Sequence, residues 1–314
     1  MIAHTVLVKS LARVPGVALV LIVLCAGFGA ASPSFATPIN ISNVMIQSTI
    51  LLLLALPMTL IIMTEGLDLS MGAVLTFASI MFAVCIVATG SFAAALVTAL
   101  GVGLAFGFCN GVLISVLGIP PFITTLGTLG VAQGLSLLVT DGQSVVGLPR
   151  WIDGIYSGHV AGVPLPIIVA ALAYAVTHTL LYHTRFGAYV FALGGNREAL
   201  KVAGISVRAM LIKVYVFGGV MAGFAALLMT ARLNSAHPTA GIGMEFDAIA
   251  AVAVGGTSFE GGNGWLLGTL LGVLAVGVLR DGLNLLAVPS SAQVASIGAL
   301  VIIALFIDGL RSEP

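Results

Sequence analysis

Ten apolar stretches, most of them about twenty residues long, follow one another through this 314-residue chain. They cover 14–33, 44–64, 70–89, 92–117, 121–140, 164–183, 211–231, 245–258, 264–287 and 291–308. A helix needs about 20 mostly apolar residues to cross a bilayer. Only 7% of the residues are charged, against about 25% in soluble domains, so a soluble core of this size is excluded. The expected fold is all-α and polytopic, with about ten transmembrane helices, some broken or short. The stretch 245–258 is too short for a comfortable straight span. The stretch 70–89 starts just after the polar break Glu65-Gly66-Leu67-Asp68-Leu69-Ser70. Such breaks must be packed in protein or line a cavity.

Charge placement gives the orientation. Residues 184–213 hold five of the eleven basic groups (Arg185, Arg197, Lys201, Arg208, Lys213) and one acid, Glu198, a local balance of +4. Basic loops stay in the cytoplasm. Lys9 and Arg13 near the start, the 184–213 segment and Arg311 near the end then belong on one side. Six spans separate the first two sites and four more reach the third, and both numbers are even. The expected topology therefore has ten crossings, with both termini cytoplasmic. Lys9 and Arg13 ahead of the apolar run Val14–Ala31 also fit a signal peptide, but the spans that follow favour an uncleaved first helix. The longest outer loop, 141–163, carries Asp141, Arg150, Trp151, Asp153 and Tyr156. It is either an ordinary solvated loop or a contact for a soluble partner.

The chain also repeats itself at a shift of 171 residues. Gly101 matches Gly272, Asn110-Gly111 matches Asp281-Gly282, and Leu126-Gly127-Thr128-Leu129 matches Ile297-Gly298-Ala299-Leu300. The copies lie five crossings apart, an odd number, so they enter the membrane from opposite faces. Inverted repeats of this kind are typical of transporters. One transmembrane domain, 1–314, then divides into halves at about 14–140 and 164–308, with the basic segment 184–213 as its cytoplasmic element. Each half has an acidic, interrupted approach to its third span: Glu65, Asp68 and Ser70 in the first, Glu245 and Asp247 in the second. Interrupted segments at matching places point to a translocation path. Asn110 and Asn284, inside or at the ends of spans, join these as path or gate residues. Each also has a structural reading: Asp68 or Ser70 capping the following helix, Asn110, Asn284, Arg280 and Asp281 bonding across helices.

Other chemistry is sparse. No GxxxxGK[ST] occurs, so the chain holds no P-loop ATPase site. The run Gly255-Gly256-Thr257-Ser258-Phe259-Glu260-Gly261-Gly262 resembles a phosphate cradle only superficially. Cys25, Cys85 and Cys109 have neither disulfide nor zinc spacing and are expected as buried, unreactive small residues. The five histidines form no metal pattern, and no nucleophile–base pair or basic nucleic-acid surface is visible. No cofactor is expected. Glycines at four-residue spacing (103/107/111, 219/223, 264/268/272) mark tight helix packing.

Within the basic segment, Gly194-Gly195 breaks the chain and Asn196 is a good N-cap. Residues 197–203 suit about two helical turns, stopped by Gly204. Arg197 and Lys201, four apart, share a face. Such a helix either docks into a cleft of another protein or rests on anionic lipid.

The chain resembles the permease subunits of bacterial ABC importers for monosaccharides, the ribose-type family. The resemblance rests on TEGLDLSMGAVL (64–75), NGVLISVLGIPPFITTLGTLGVAQGLSLL (110–138), TRFGAYVFALGGNREALKVAGISV (184–207) and MEFDAIAAVAVGGTSFEGGNGWLLGTLLG (244–272), with RDGLNLL (280–286) a weaker match. Arg280-Asp281 departs from the family, which commonly has an Asn before Gly-Leu-Asn. The resemblance implies a second permease copy or a paralogue, a separate cytoplasmic ATP-binding subunit, and a periplasmic or extracellular sugar-binding protein, all at the lipid of a bacterial inner membrane. It also implies that Asn196, Arg197, Glu198, Ala199, Lys201 and Gly204 form the element coupled to the ATPase. The competing functions are a branched-chain amino acid or nucleoside permease of the same superfamily and an ion-coupled secondary transporter. A membrane-embedded enzyme ranks behind both.

Overall fold

A computed structural model describes residues 14–312 apart from Glu260. Ten helices match the ten expected stretches: α1 Val14–Ala31, α2 Pro38–Met63, α3 Met71–Thr89, α4 Phe92–Ser115, α5 Pro121–Thr140, α7 Leu165–His183, α10 Val207–Leu233, α11 Met244–Val254, α12 Leu266–Leu285 and α13 Ser290–Ser312. Three short helices stand between them: α6 Asp153–Ser157 in the outer loop, α8 Arg185–Gly195 and α9 Arg197–Val202 in the basic segment. The outer loop also folds a two-residue antiparallel pair, β1 His159–Val160 with β2 Val163–Pro164. Seven helices are long and apolar enough to cross a membrane among the described residues. Lys9 and Arg13, and with them the N-terminal charge argument, lie outside those residues.

Local chemistry sets the helix ends. Thr37 accepts from the Asn40 amide and is followed by Pro38 at the start of α2. Ser91 and Ser206 cap α4 and α10 in the same way, each through the amide three residues on. These bonds satisfy amides that have no partner within the helix. α3 stops at Gly90, whose φ of +66° suits a residue without a Cβ.

α2 is the central post. Its apolar window is 83% buried, whereas those of α4 and α7 are 22% buried. α10, α12, α11 and α7 pack around it, and α4, α5 and α7 turn their free faces outward, where a bilayer replaces an interior. Cys109 is on such a face, exposed, with Cys25 and Cys85 half-buried. The expectation of three buried thiols is therefore corrected: an apolar outer face in a membrane protein meets lipid rather than a core.

Small residues bring the helices together, as their spacing predicts. Gly103 of α4 lies backbone to backbone against Gly219 of α10, and Gly107 lies against the Tyr215 carbonyl, so a Cβ at either site would clash. Gly268 and Gly272 of α12 bring that helix equally close to α11, against Gly255 and Ala251.

The packing repeats in a pseudo-two-fold manner. α3 packs against α4 and α5, while α11 packs against α12 and α13. The halves also cross: α10 lies on α4, and its counterpart α2 lies on α12. The span count is supported by which loops meet. At the end expected inside, Arg197 reaches Glu65, Gly194 abuts Gly262, and the Leu266 amide bonds Tyr182 Oη. At the opposite end, Asn40 bonds Asp281, Ser144 bonds His237, and Val145 pairs with Ala236. Each pair joins loops that the alternation places on one side.

α11 is shorter than its expected stretch, eleven residues against fourteen. At 1.5 Å per residue it rises about 16 Å, roughly half of a hydrocarbon core about 30 Å thick. The irregular segment before it makes up depth: the Gly241 amide bonds Thr76 Oγ1, inside α3.

Candidate functional site: a polar knot, a crossing and a cytoplasmic helix

The residues singled out above fall in three places. The first is a buried knot where α3 begins. Asp68 Oδ1 accepts from the backbone N–H of Ser70 at 2.9 Å and from its hydroxyl. Asn110 Nδ2 of α4 donates to Ser70 Oγ at 3.0 Å, and Thr128 Oγ1 of α5 donates to Asn110 Oδ1 at 2.8 Å. All four side chains are buried. Neither Asp68 nor Ser70 caps α3 in the expected way, because Ser70 makes no capping bond and is already helical in conformation. Asp68 instead closes a turn onto Ser70, and Asn110 with Thr128 locks that turn to two neighbouring spans. The crevice beside the knot, lined by Asp68, Ser70, Asn110, Phe106 and Gly219, leaves no room even for a water molecule. Small-molecule sites hold about 300–1,000 Å³, so this crevice is no preformed sugar pocket.

The second place is where the two interrupted segments meet. A Cβ on Gly72, in the first turn of α3, would run into the Glu245 carboxylate and the Gly241 carbonyl. The starts of α3 and α11, elements that correspond in the two halves, therefore touch, each bringing the positive end of a helix dipole. Glu245 is buried, with Oε1 accepting from the Gly243 amide at 3.1 Å. Asp247, one turn into α11, is paired with Arg280 of α12. Asp281 accepts from Asn40 at 2.7 Å, and Asn284 accepts from Gln293 at 2.8 Å. Both charges that depart from the family pattern thus have partners across helices, as the structural reading of these residues holds.

The third place is the basic segment. α9 runs Arg197–Val202, with Asn196 Oδ1 accepting from the Ala199 amide at 2.9 Å and Gly204 following at φ +75°. Its cap and stop are those expected. Arg197 and Lys201, however, do not work as one basic face. Arg197 turns inward to Glu65 at 3.2 Å and to the Thr64 carbonyl at 2.9 Å, while Lys201 pairs with Glu198 at 2.6 Å. Leu200 is buried and anchors the helix, while Glu198, Ala199, Lys201 and Val202 are exposed, Val202 by 89%. Glu65 is thereby separated from the other path candidates, at the inner end with Arg197.

Sequence reasoning passed over three participants. Tyr215 Oη and Thr125 Oγ1 both reach the Leu67 carbonyl, at 3.3 and 3.4 Å, and Gln293 bonds Asn284. A phenol and hydroxyls inside otherwise apolar spans were the available signal. Among the described residues no group of acids, cysteines and histidines could hold a metal ion.

Comparison with known proteins places this architecture. A family model described as the permease component of branched-chain amino acid transport systems matches residues 40–305. The chain belongs to this permease family. It is 40% identical to the ribose import permease of Bacillus subtilis (strain 168) over 90% of this chain and 88% of that one. The D-allose transport system permease of Escherichia coli (strain K12) is 36% identical, over 95% and 92%. The galactose/methyl galactoside import permease of the same strain is 34% identical, over 94% of both chains. No solved structure matches. The permease is thus a multi-pass inner-membrane transport component.

Proposed function

We propose that this permease passes a monosaccharide of the ribose type inward, as one subunit of an ATP-driven importer. A soluble binding protein outside delivers the sugar, a cytoplasmic ATP-binding subunit drives the cycle, and a second permease copy or a paralogue completes the path. The observation that carries the reading is α9. A six-residue helix is far too short to be stable by itself, yet this one is capped, anchored by Leu200 and exposed on its remaining face. Such a helix between two spans is suited to fill a cleft in a cytoplasmic partner. The sugar names of the relatives support the substrate class, and the closed crevice beside the knot suits a permease whose partner supplies affinity.

In this reading, Asn196, Glu198, Ala199, Lys201 and Gly204 make or shape the ATPase contact. The crossing of α3 and α11, with Asp68, Ser70, Asn110 and Glu245 around it, forms the gate. Asp247 and Asn284 stand at its outer approach. The test is uptake by vesicles carrying the permease with an ATP-binding subunit and a sugar-binding protein from the same organism. Ribose-type sugars should enter only with ATP and all three components. Uptake of leucine instead would move the substrate to the branched-chain amino acids. Uptake by the permease alone, driven by an ion gradient, would overturn the reading.

A further inference from the structure

The turn that ends α2 is built in an unusual way. The Gly66 amide bonds the Ile61 carbonyl at 3.0 Å and the Glu65 amide bonds that of Ile62 at 2.9 Å, with Thr64 as the C-cap. This is the two-bond helix stop whose left-handed position usually belongs to glycine. Here that position, at φ +60°, is Glu65. A side chain in this conformation costs backbone strain that glycine would avoid, and a glycine stands one residue further on. Such departures cluster at functional sites; Ala287 holds the same position at the end of α12, but Glu65 differs from it in having a side-chain partner.

Glu65 Oε2 lies 3.2 Å from Arg197, and the same guanidinium nitrogen donates to the Thr64 carbonyl at 2.9 Å. The two side chains are 46% and 42% exposed, so the ion pair adds little to stability. Its position is what distinguishes it. Arg197 is the first residue of α9, and Gly194 just before it presses on the Met63 carbonyl. Two residues beyond Glu65, the Leu67 carbonyl accepts from Tyr215 Oη of α10, with Thr125 Oγ1 of α5 alongside at 3.4 Å. One residue further is Asp68 and the knot it makes with Ser70, Asn110 and Thr128.

We propose that Arg197 and Glu65 are the joint that carries movement of α9 into the α2–α3 turn, and through it to the knot where α3 begins. Arg197 is a positioning residue turned toward its own chain, and the ATPase meets the other face of α9. The proposal rests on the reading of α9 as the ATPase contact. It accounts for a glutamate where glycine would fit better, and it moves Glu65 from the sugar path to the transmission.

The test compares the complete importer with Glu65→Gly, Arg197→Ala and the double variant. Glu65→Gly should melt no lower than the parent, since glycine is at ease at that φ. The ATP-binding subunit should co-purify in full with each variant. Sugar delivered per ATP hydrolysed should fall about fivefold or more, the lower end of ordinary coupling between sites. The double variant should be no worse than either single one. Full coupling in Glu65→Gly overturns the joint, as does multiplicative loss in the double variant. Loss of the subunit in Arg197→Ala alone would make Arg197 a docking contact. A second arm uses the permease alone in lipid nanodiscs and reads amide hydrogen exchange at Gly66–Ser70. Arg197→Ala should speed it, and unchanged exchange overturns the joint. If the parent importer shows no ATP-driven uptake while this arm responds, the functional reading fails and the structural joint stands.

Discussion

Asp68 shows how an acid in an apolar chain can be kept without a charged partner. Its carboxylate accepts twice from Ser70, and Ser70 is held in turn by Asn110. Removing it leaves the Ser70 amide and hydroxyl buried with no acceptor, a loss of about 1–3 kcal/mol. Asp68→Ala should therefore lower the thermal midpoint in detergent or nanodiscs. Asp68→Asn keeps an acceptor oxygen at the same place and should recover most of that stability. Transport then separates the roles. If uptake per folded molecule is normal in Asp68→Asn, the charge has no part in the path and the residue is a tie. These acids were legible in the sequence as exceptions, because a carboxylate among apolar spans needs a partner. The outer members of the network were not legible, since Thr128, which bonds Asn110, and Tyr215, which bonds the Leu67 carbonyl, are residue types that apolar helices carry for many reasons. Arg197 is the clearest case. Spacing alone put it on a face with Lys201, but the nearby Thr64 carbonyl and Glu65, more than a hundred residues away in sequence, turned it inward.

At the scale of elements, hydropathy marked each of the ten helices expected as spans, because crossing a bilayer demands length and apolarity that few other folds need. It misjudged α11, since the Gly255-Gly256 turn ends that helix before the apolar composition runs out. α9 was legible for the opposite reason: its signals are local, an Asn ahead and a Gly behind. That locality makes it vulnerable. Asn196→Ala removes a cap worth about 1 kcal/mol from a helix of six residues, which Leu200 alone would then anchor. We expect faster amide exchange over 197–202, with the thermal midpoint of the spans unchanged. We also expect weaker retention of the ATP-binding subunit on purification. Asn196→Ser, another capping side chain, should restore both. Equal retention in all three proteins would show that docking does not need the helix preformed.

At the scale of the molecule, glycine has two different uses. Gly103, Gly107 and Gly219 are consumed inside the bundle, where backbones touch. Gly127, Gly130 and Gly134 of α5 have nothing within 4 Å, and neither does Gly298 of α13. The sequence repeat pairs Gly127 with Gly298, so both halves leave a small residue open at the same station. Phe122, Ile123, Leu126 and Val131 stand exposed on the same helix. Lipid needs no glycine to pack against, but a second helix does, because small residues let backbones approach. The open face of α5 is therefore where a second permease should join. With the three native cysteines replaced by alanine, a single cysteine at Gly130 should form a disulfide-linked dimer in native membranes under mild oxidation. A cysteine at Leu172, exposed on α7 at 62%, should not. Cross-linking at both sites alike would mean random collision in the bilayer, and cross-linking at Leu172 alone would move the seam to α7. If the dimer forms at Gly130, oxidising it should also arrest uptake, because a seam next to α3 and its knot has to shift for the path to open.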